Sequence, residues 1–142
     1  MSSIGVRPLG VLALSVLLAV PAVAQGFKWW QADEYIQELG LTSEQSARVE
    51  EIFQAAVPKL QALKKALDHA EADLERLVEN GDDGAVMEQV ARAESARAEL
   101  NKSRTMMLLR MRRALTKNQW AKFTALQQAA ERESHRQNAL GK

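Results

Sequence analysis

The chain has 142 residues, with 19 Lys and Arg against 18 Asp and Glu, and no cysteine. The missing thiols exclude disulfide stapling and thiolate catalysis, so stability must come from packing or association. The near-neutral total hides an asymmetry: residues 25–100 carry 8 basic against 16 acidic side chains, and residues 101–142 carry 10 against 2, which implies a directed surface.

Residues 1–24 read as a leader. Arg7 supplies a thin positive start, residues 9–20 are apolar apart from Gly10 and Ser15, and Ala22-Val23-Ala24 has the small-x-small form that signal peptidase accepts. Cleavage is expected after Ala24. The apolar run is too short for a hydrocarbon core that asks for about 20 residues, and no cysteine follows it to take a lipid. Residues 25–142 are then one exported domain, and an extracytoplasmic compartment makes nucleic acid an unsuitable partner for its basic part.

Ala, Leu, Glu, Lys, Arg and Gln dominate the remainder, and no alternating β-branched run supports a strand. A first helix over about 31–39 ends at Gly40, which can take the left-handed position past a helix terminus. The second starts after Thr42. From Val49 its apolar residues fall in heptads, with Phe53, Leu60, Leu67 and Leu74 in one position and Ala56, Leu63, Ala70 and Leu77 in the other. Pro58 lies inside this stripe, where its ring and missing N–H predict a kink or a break.

Asn80-Gly81-Asp82-Asp83-Gly84 is the strongest turn signal. A third helix over about 85–114 then runs back, with Val86, Val90, Ala93, Leu100, Met107, Met111 and Leu115 on one arc and Arg97 and Arg104 in its middle. Counting from the turn brings Arg97 near Leu67, Asp68 and Glu71, and Arg104 near Lys64 and Leu60. A fourth helix covers about 117–133, and residues 134–142 read as a frayed, disordered polar tail. The architecture is all-α: a long antiparallel helical hairpin with short flanking helices. Such a ribbon leaves one side uncovered, and Met106, Met107, Leu108, Leu109 and Met111 make the end of the third helix apolar all round, so a homodimer is expected.

One phrase occurs twice, 74 residues apart: Leu41-Thr42-Ser43-Glu44-Gln45 and Leu115-Thr116-Lys117-Asn118-Gln119. In each, the threonine hydroxyl can accept from the N3 backbone while the N3 glutamine reaches back to the cap. In the second copy Leu115 and Trp120 can add a hydrophobic staple. With Glu38-Leu39-Gly40 before the first copy and Val49-Glu50-Glu51-Ile52-Phe53 after it, the chain resembles the Spy/CpxP-like periplasmic family with paired Leu-Thr-x-x-Gln motifs, a group that includes periplasmic heavy-metal sensor and resistance proteins. The resemblance implies a helical hairpin assembled into a curved, cradle-shaped homodimer. It implies action on unfolded or misfolded envelope proteins without ATP, or a sensing role beside a membrane-bound stress-response partner.

The residues give catalysis little support: no Gly-rich phosphate loop is present, and His69 and His135 have no serine and carboxylate in a nucleophilic arrangement. No cofactor is called for. The alternative is a divalent transition metal at His69 and Asp73, which share a helix face at i, i+4, although a solvated His–Asp pair has the same spacing. Where metal-sensing relatives carry clustered histidines this chain has Trp29, Trp30 and Gln31. Met106, Met107 and Met111 could offer thioethers to Cu(I), or fill a core. The client-binding candidates are Arg97, Arg104, Met106, Met107, Arg110, Arg112 and Arg113, in a stretch with no acid between Asn101 and Glu131. Mobile thioethers beside long cations can hold many unfolded segments weakly, and the same arginines can equally be a solvated helix face. Trp29 and Trp30 either meet clients or pin the first helix by burial.

Overall fold

The computed structural model describes residues 27–141; the expected leader lies outside them. A 3-10 turn (Trp29–Gln31) leads into α1 (Asp33–Leu39), α2 (Ser43–Asn80), α3 (Asp83–Arg113) and α4 (Lys117–Leu140). No strand occurs among the described residues. Gly40 ends α1 at φ 61° and ψ 44°, the left-handed geometry that glycine adopts without a Cβ penalty. Its N–H and that of Leu41 bond back to α1, so the chain turns into α2 with its backbone groups satisfied.

α2 and α3 pack as an antiparallel hairpin closed by Gly81 and Asp82. Asp82 caps α3 by accepting from the Ala85 N–H at 2.8 Å. All eight heptad positions of α2 are buried or half-buried, and Ala93, Leu100, Met107 and Met111 of α3 are buried against them. Gln89 shares that seam, and its side-chain amide donates to the Ala70 carbonyl at 3.0 Å, which gives a buried polar group the partner it needs.

The stripe thins toward the turn and thickens at the other end. There Trp29, Trp30, Tyr35, Leu39, Leu41, Val49, Met107, Met111 and Phe123 form one core. Trp29 and Trp30 are each 1 % exposed; Trp29 meets Phe123 at 4.7 Å between ring centres and Trp30 meets Phe53 at 5.2 Å. The tryptophans therefore pin the N-terminal segment to α2 and α4 and are not presented at the surface.

Two boundaries differ from expectation. α2 passes through Pro58 without being divided; proline removes one intrahelical bond, to Gln54, and the apolar positions of α2 stay covered on both sides of it, from Phe53 and Ala56 to Leu60 and Leu63. α4 runs on through residues 134–140, expected as tail, because nothing between Lys117 and Leu140 breaks a helix. Every side chain from Gln128 to Leu140 is exposed. Among the described residues, no helix is long and apolar enough to cross a membrane.

Candidate functional site

The two copies of the repeated phrase come together. Each is a complete capping box: Gln45 N–H donates to Thr42 Oγ1 at 3.1 Å while Thr42 N–H donates to Gln45 Oε1 at 3.1 Å, and Thr116 and Gln119 repeat this at 3.1 and 2.9 Å. A side-chain amide has two donors and an oxygen with two lone pairs, so each glutamine has capacity left over. Gln45 Nε2 donates to Gln119 Oε1 at 2.8 Å, and Gln119 Nε2 donates to Gln45 Oε1 at 2.9 Å. The second donors reach the carbonyls just before the opposite motif, Ala114 at 3.2 Å and Gly40 at 3.4 Å. The start of α2 is thereby tied to the start of α4, with Leu41 buried and Leu115 half-buried beneath. This junction is a fastening with no reactive group.

A second fastening was not anticipated. Glu50, one turn beyond Gln45, accepts from Trp30 Nε1 at 2.6 Å, Lys28 Nζ at 2.7 Å, Gln54 Nε2 at 2.7 Å and Gln31 Nε2 at 3.2 Å. The bonds from Lys28, then Gln54 and Trp30, hold its carboxyl well below the ordinary 4.5, at about 2. A carboxylate whose folded pKa is depressed stabilises the fold above its unfolded pKa, and that contribution is lost as pH falls through the folded value. The melting temperature is therefore expected to decline between about pH 4.5 and pH 2 partly through Glu50, with solvent trimming the effect because the side chain is 28 % exposed. Glu50→Ala, which strands the buried Trp30 N–H, should cost about 2–3 kcal/mol at pH 7. Glu50→Gln should flatten the acid limb of the melting curve, and an unchanged limb would show that other carboxylates govern it.

The candidate client-binding residues do not form a single cluster. Arg97 is ion-paired to Glu71 across the hairpin and to Glu94 on its own helix; these bonds, Glu71 first, raise its pKa. Arg104 lies in a shallow hollow on one hairpin face with Phe53, Leu60, Lys64 and Lys65. Met106 and Arg110 lie in another with Ile52, Ala55 and Lys59, and Arg110 and Ile52 continue from it to Arg48 and Arg113. Arg112 turns toward α4, its guanidinium 5.6 Å from the centre of the Trp120 ring. Met107 is buried in the core at 3 % exposure and is removed from the surface set, whereas Met106 beside it is 43 % exposed. One turn of a helix presents adjacent residues to different directions, and α2 covers only one.

The strip from Lys59 through Met106 and Arg110 to Arg113 is the most informative of these surfaces. Lys102 on its border is drawn to Glu99 at 3.7 Å and Arg48 to Glu51 at 3.3 Å. Lys59, Arg110 and Arg113 make no ion pair among the described residues. Free cations thus border exposed apolar surface from Met106, Ile52 and Ala55. His69 and His135 are both exposed, and Asp73 is bonded to Arg76 instead of being held toward His69. Among the described residues, no three His, Cys, Asp or Glu side chains gather as a ligand set.

This is a helical hairpin whose ends are clasped by a duplicated, mutually bonded Leu-Thr-x-x-Gln motif. A comparison with known families matches residues 28–127 to the family described as LTXXQ motif family protein, and the chain belongs to that family, in agreement with its resemblance to Spy/CpxP-like proteins. No curated protein and no solved structure matches it.

Proposed function

We propose that this protein is a periplasmic, ATP-independent chaperone that holds unfolded envelope proteins, works as a homodimer and performs no covalent chemistry. The observation that carries the reading is the strip at the base of the hairpin, where Lys59, Arg110 and Arg113 stand without ion pairs beside Met106, Ile52 and Ala55. Long cationic side chains raise the encounter rate with acidic unfolded segments, and a flexible thioether with small apolar neighbours adapts to varied sequence. Binding stays weak and reversible, which suits release without nucleotide. Family membership supports the same reading. The half-buried α2 stripe, which α3 alone does not cover, supports a second copy.

The test is suppression of aggregation of a reduced model protein at near-stoichiometric ratio. Arg110→Gln with Arg113→Gln should slow client capture roughly two- to fivefold at low salt, and should shrink its salt dependence, because fewer charges steer the encounter. Helicity should be retained. Arg97→Gln, which disturbs an internal ion pair instead, is the control and should leave capture unchanged. Equal protection by wild type and the double variant at low and high salt would remove this strip as the client surface.

A further inference from the structure

Three arginines line one hollow at the base of the hairpin. The hollow measures about 330 Å³, and its walls are Arg48 and Ile52 of α2 with Arg110, Arg113 and Ala114 of α3. Like charges gathered this way repel, and the carboxylates of the protein do little to offset them. Among the described residues Arg110 and Arg113 make no ion pair, and Arg48 is paired to Glu51 alone, at 3.3 Å, between side chains 67 % and 71 % exposed. An exposed pair of that kind contributes little and is readily exchanged. Glu99, the nearest acid on α3, stands roughly 16 Å along the helix from Arg110 at 1.5 Å per residue and is drawn to Lys102. The helix dipole favours cations at the end of α3, but gives no reason for a third, on α2, to join them. Three guanidiniums whose charge is not met within the protein mark a place for an anion supplied from outside.

We infer that this hollow binds a phosphomonoester whose apolar body lies along the neighbouring hollow. A phosphomonoester carries about −1.5 to −2 charge at pH 7 and three terminal oxygens, so each guanidinium can address an oxygen and most of the positive charge is answered. The planar arginine fork donates in pairs to phosphate oxygens, which a lysine cannot do. The carboxylate of an acidic peptide offers a single charge and two oxygens, and leaves most of the cluster unanswered. The apolar body follows from continuity: Ile52 and Arg110 line both hollows, and Ala55, Ala56 and Met106 carry the apolar surface onward. An alkyl chain leaving the phosphate would run over these small side chains and an adaptable thioether. The ligand is thus a phosphorylated amphiphile, either free or as a headgroup in a bilayer. The inference goes beyond the chaperone reading and stands without it; where both hold, phosphate and client compete for Arg110 and Arg113.

The experiment is calorimetric titration of the purified protein with monomeric hexyl phosphate, and with inorganic phosphate and hexanoate as comparisons. Hexyl phosphate should bind about three- to tenfold more tightly than either, the first difference reading the apolar body and the second the phosphate. Arg48→Gln should weaken hexyl phosphate binding about three- to tenfold with helicity retained. Lys122→Gln, which removes the same charge from an exposed position on α4, should bind as wild type does. Flotation with phosphatidylcholine vesicles that contain phosphatidic acid separates the two sources. Capture that Arg48→Gln loses assigns the phosphate to a bilayer, and hexyl phosphate binding without capture assigns it to a free ester. Hexanoate binding as tight as that of hexyl phosphate overturns the inference and makes the hollow a surface for acidic peptides. Equal losses in Arg48→Gln and Lys122→Gln also overturn it, since a diffuse positive field would then account for the binding. Absence of hexyl phosphate binding in a wild type that still suppresses aggregation overturns this site and leaves the chaperone reading standing.

Discussion

Met107→Glu is expected to abolish the fold, and Met106→Glu to leave it nearly untouched. Met107 is 3 % exposed in the core that joins α2, α3 and the N-terminal segment, while Met106 is 43 % exposed on the cationic strip. A carboxylate placed at 107 must either be buried charged, at several kcal/mol, or leave the core toward the cations that border the two hollows Met107 lines, Lys59 and Arg110 on one side and Lys64 and Arg104 on the other. Domains of this size have about 5–15 kcal/mol in hand, so loss of Met107 packing together with the desolvation or outward displacement of the acid consumes most of it. Glu at 106 should shift stability by about 0.5 kcal/mol or less, as surface changes usually do. Far-ultraviolet circular dichroism with a urea titration reads both variants. Wild-type helicity and midpoint in Met107→Glu would mean that the register of α3 on α2 is not the one described.

Much of the fold was legible because it is local. The Thr42 and Thr116 caps, the Gly40 terminus, the turn at Gly81 and Asp82, and the heptads of α2 each depend on residues within one or two turns, and each was read from spacing alone. The burial of Trp29 and Trp30 was also readable, since large aromatics beside a short helix gain most by covering it. What failed was judgement about where helices stop. Polarity of residues 134–140 suggested a tail, yet polarity decides burial and not helicity, and the segment has no breaker before Gly141. Pro58 predicts a kink or a break; the break does not occur, because one lost intrahelical bond is outweighed by the packing of α2 before and after it.

The candidate surface was less legible, because one basic stretch on one helix points several ways. The absence of acids after Asn101 located the positive region correctly, but α2 claims Met107 and Met111, α4 claims Arg112, and Glu71 claims Arg97. Those assignments depend on which helix lies opposite, and spacing within α3 does not contain that information. Glu50 is a similar case: its donors Lys28, Trp30 and Gln31 come from about 20 residues earlier, and a lone acid in an apolar run gives no sign of them. The repeated motif had announced two helix starts. That the two starts would bond to each other needed the hairpin to bring them together, although the unspent hydrogen-bonding capacity of two N3 glutamines was a sign available in the sequence.

That capacity sets the last expectation. Gln45→Ala and Gln119→Ala should each cost about 2–3 kcal/mol, from the return bond of a capping box and the reciprocal amide pair. The double variant should cost about 1–2 kcal/mol less than the sum, because the pair is lost in full with the first substitution. Glutamate separates the two roles, since at N3 it can still close its own box but cannot donate to the opposite motif. Single Gln→Glu variants should therefore be milder than Ala. Gln45→Glu with Gln119→Glu should be the worst of the set at neutral pH, because it sets two carboxylates in place of amides that stand 2.8 Å apart. Like charges that close raise the folded pKa of one acid above its unfolded value. The penalty is then present where both are ionised and is relieved as pH falls toward 4, the reverse of the acid limb expected from Glu50. Urea midpoints at pH 7 and pH 4 measure this. Strict additivity of the alanine variants, with no recovery of the double glutamate variant in acid, would mean that the motifs act as two independent caps and that their contact contributes nothing.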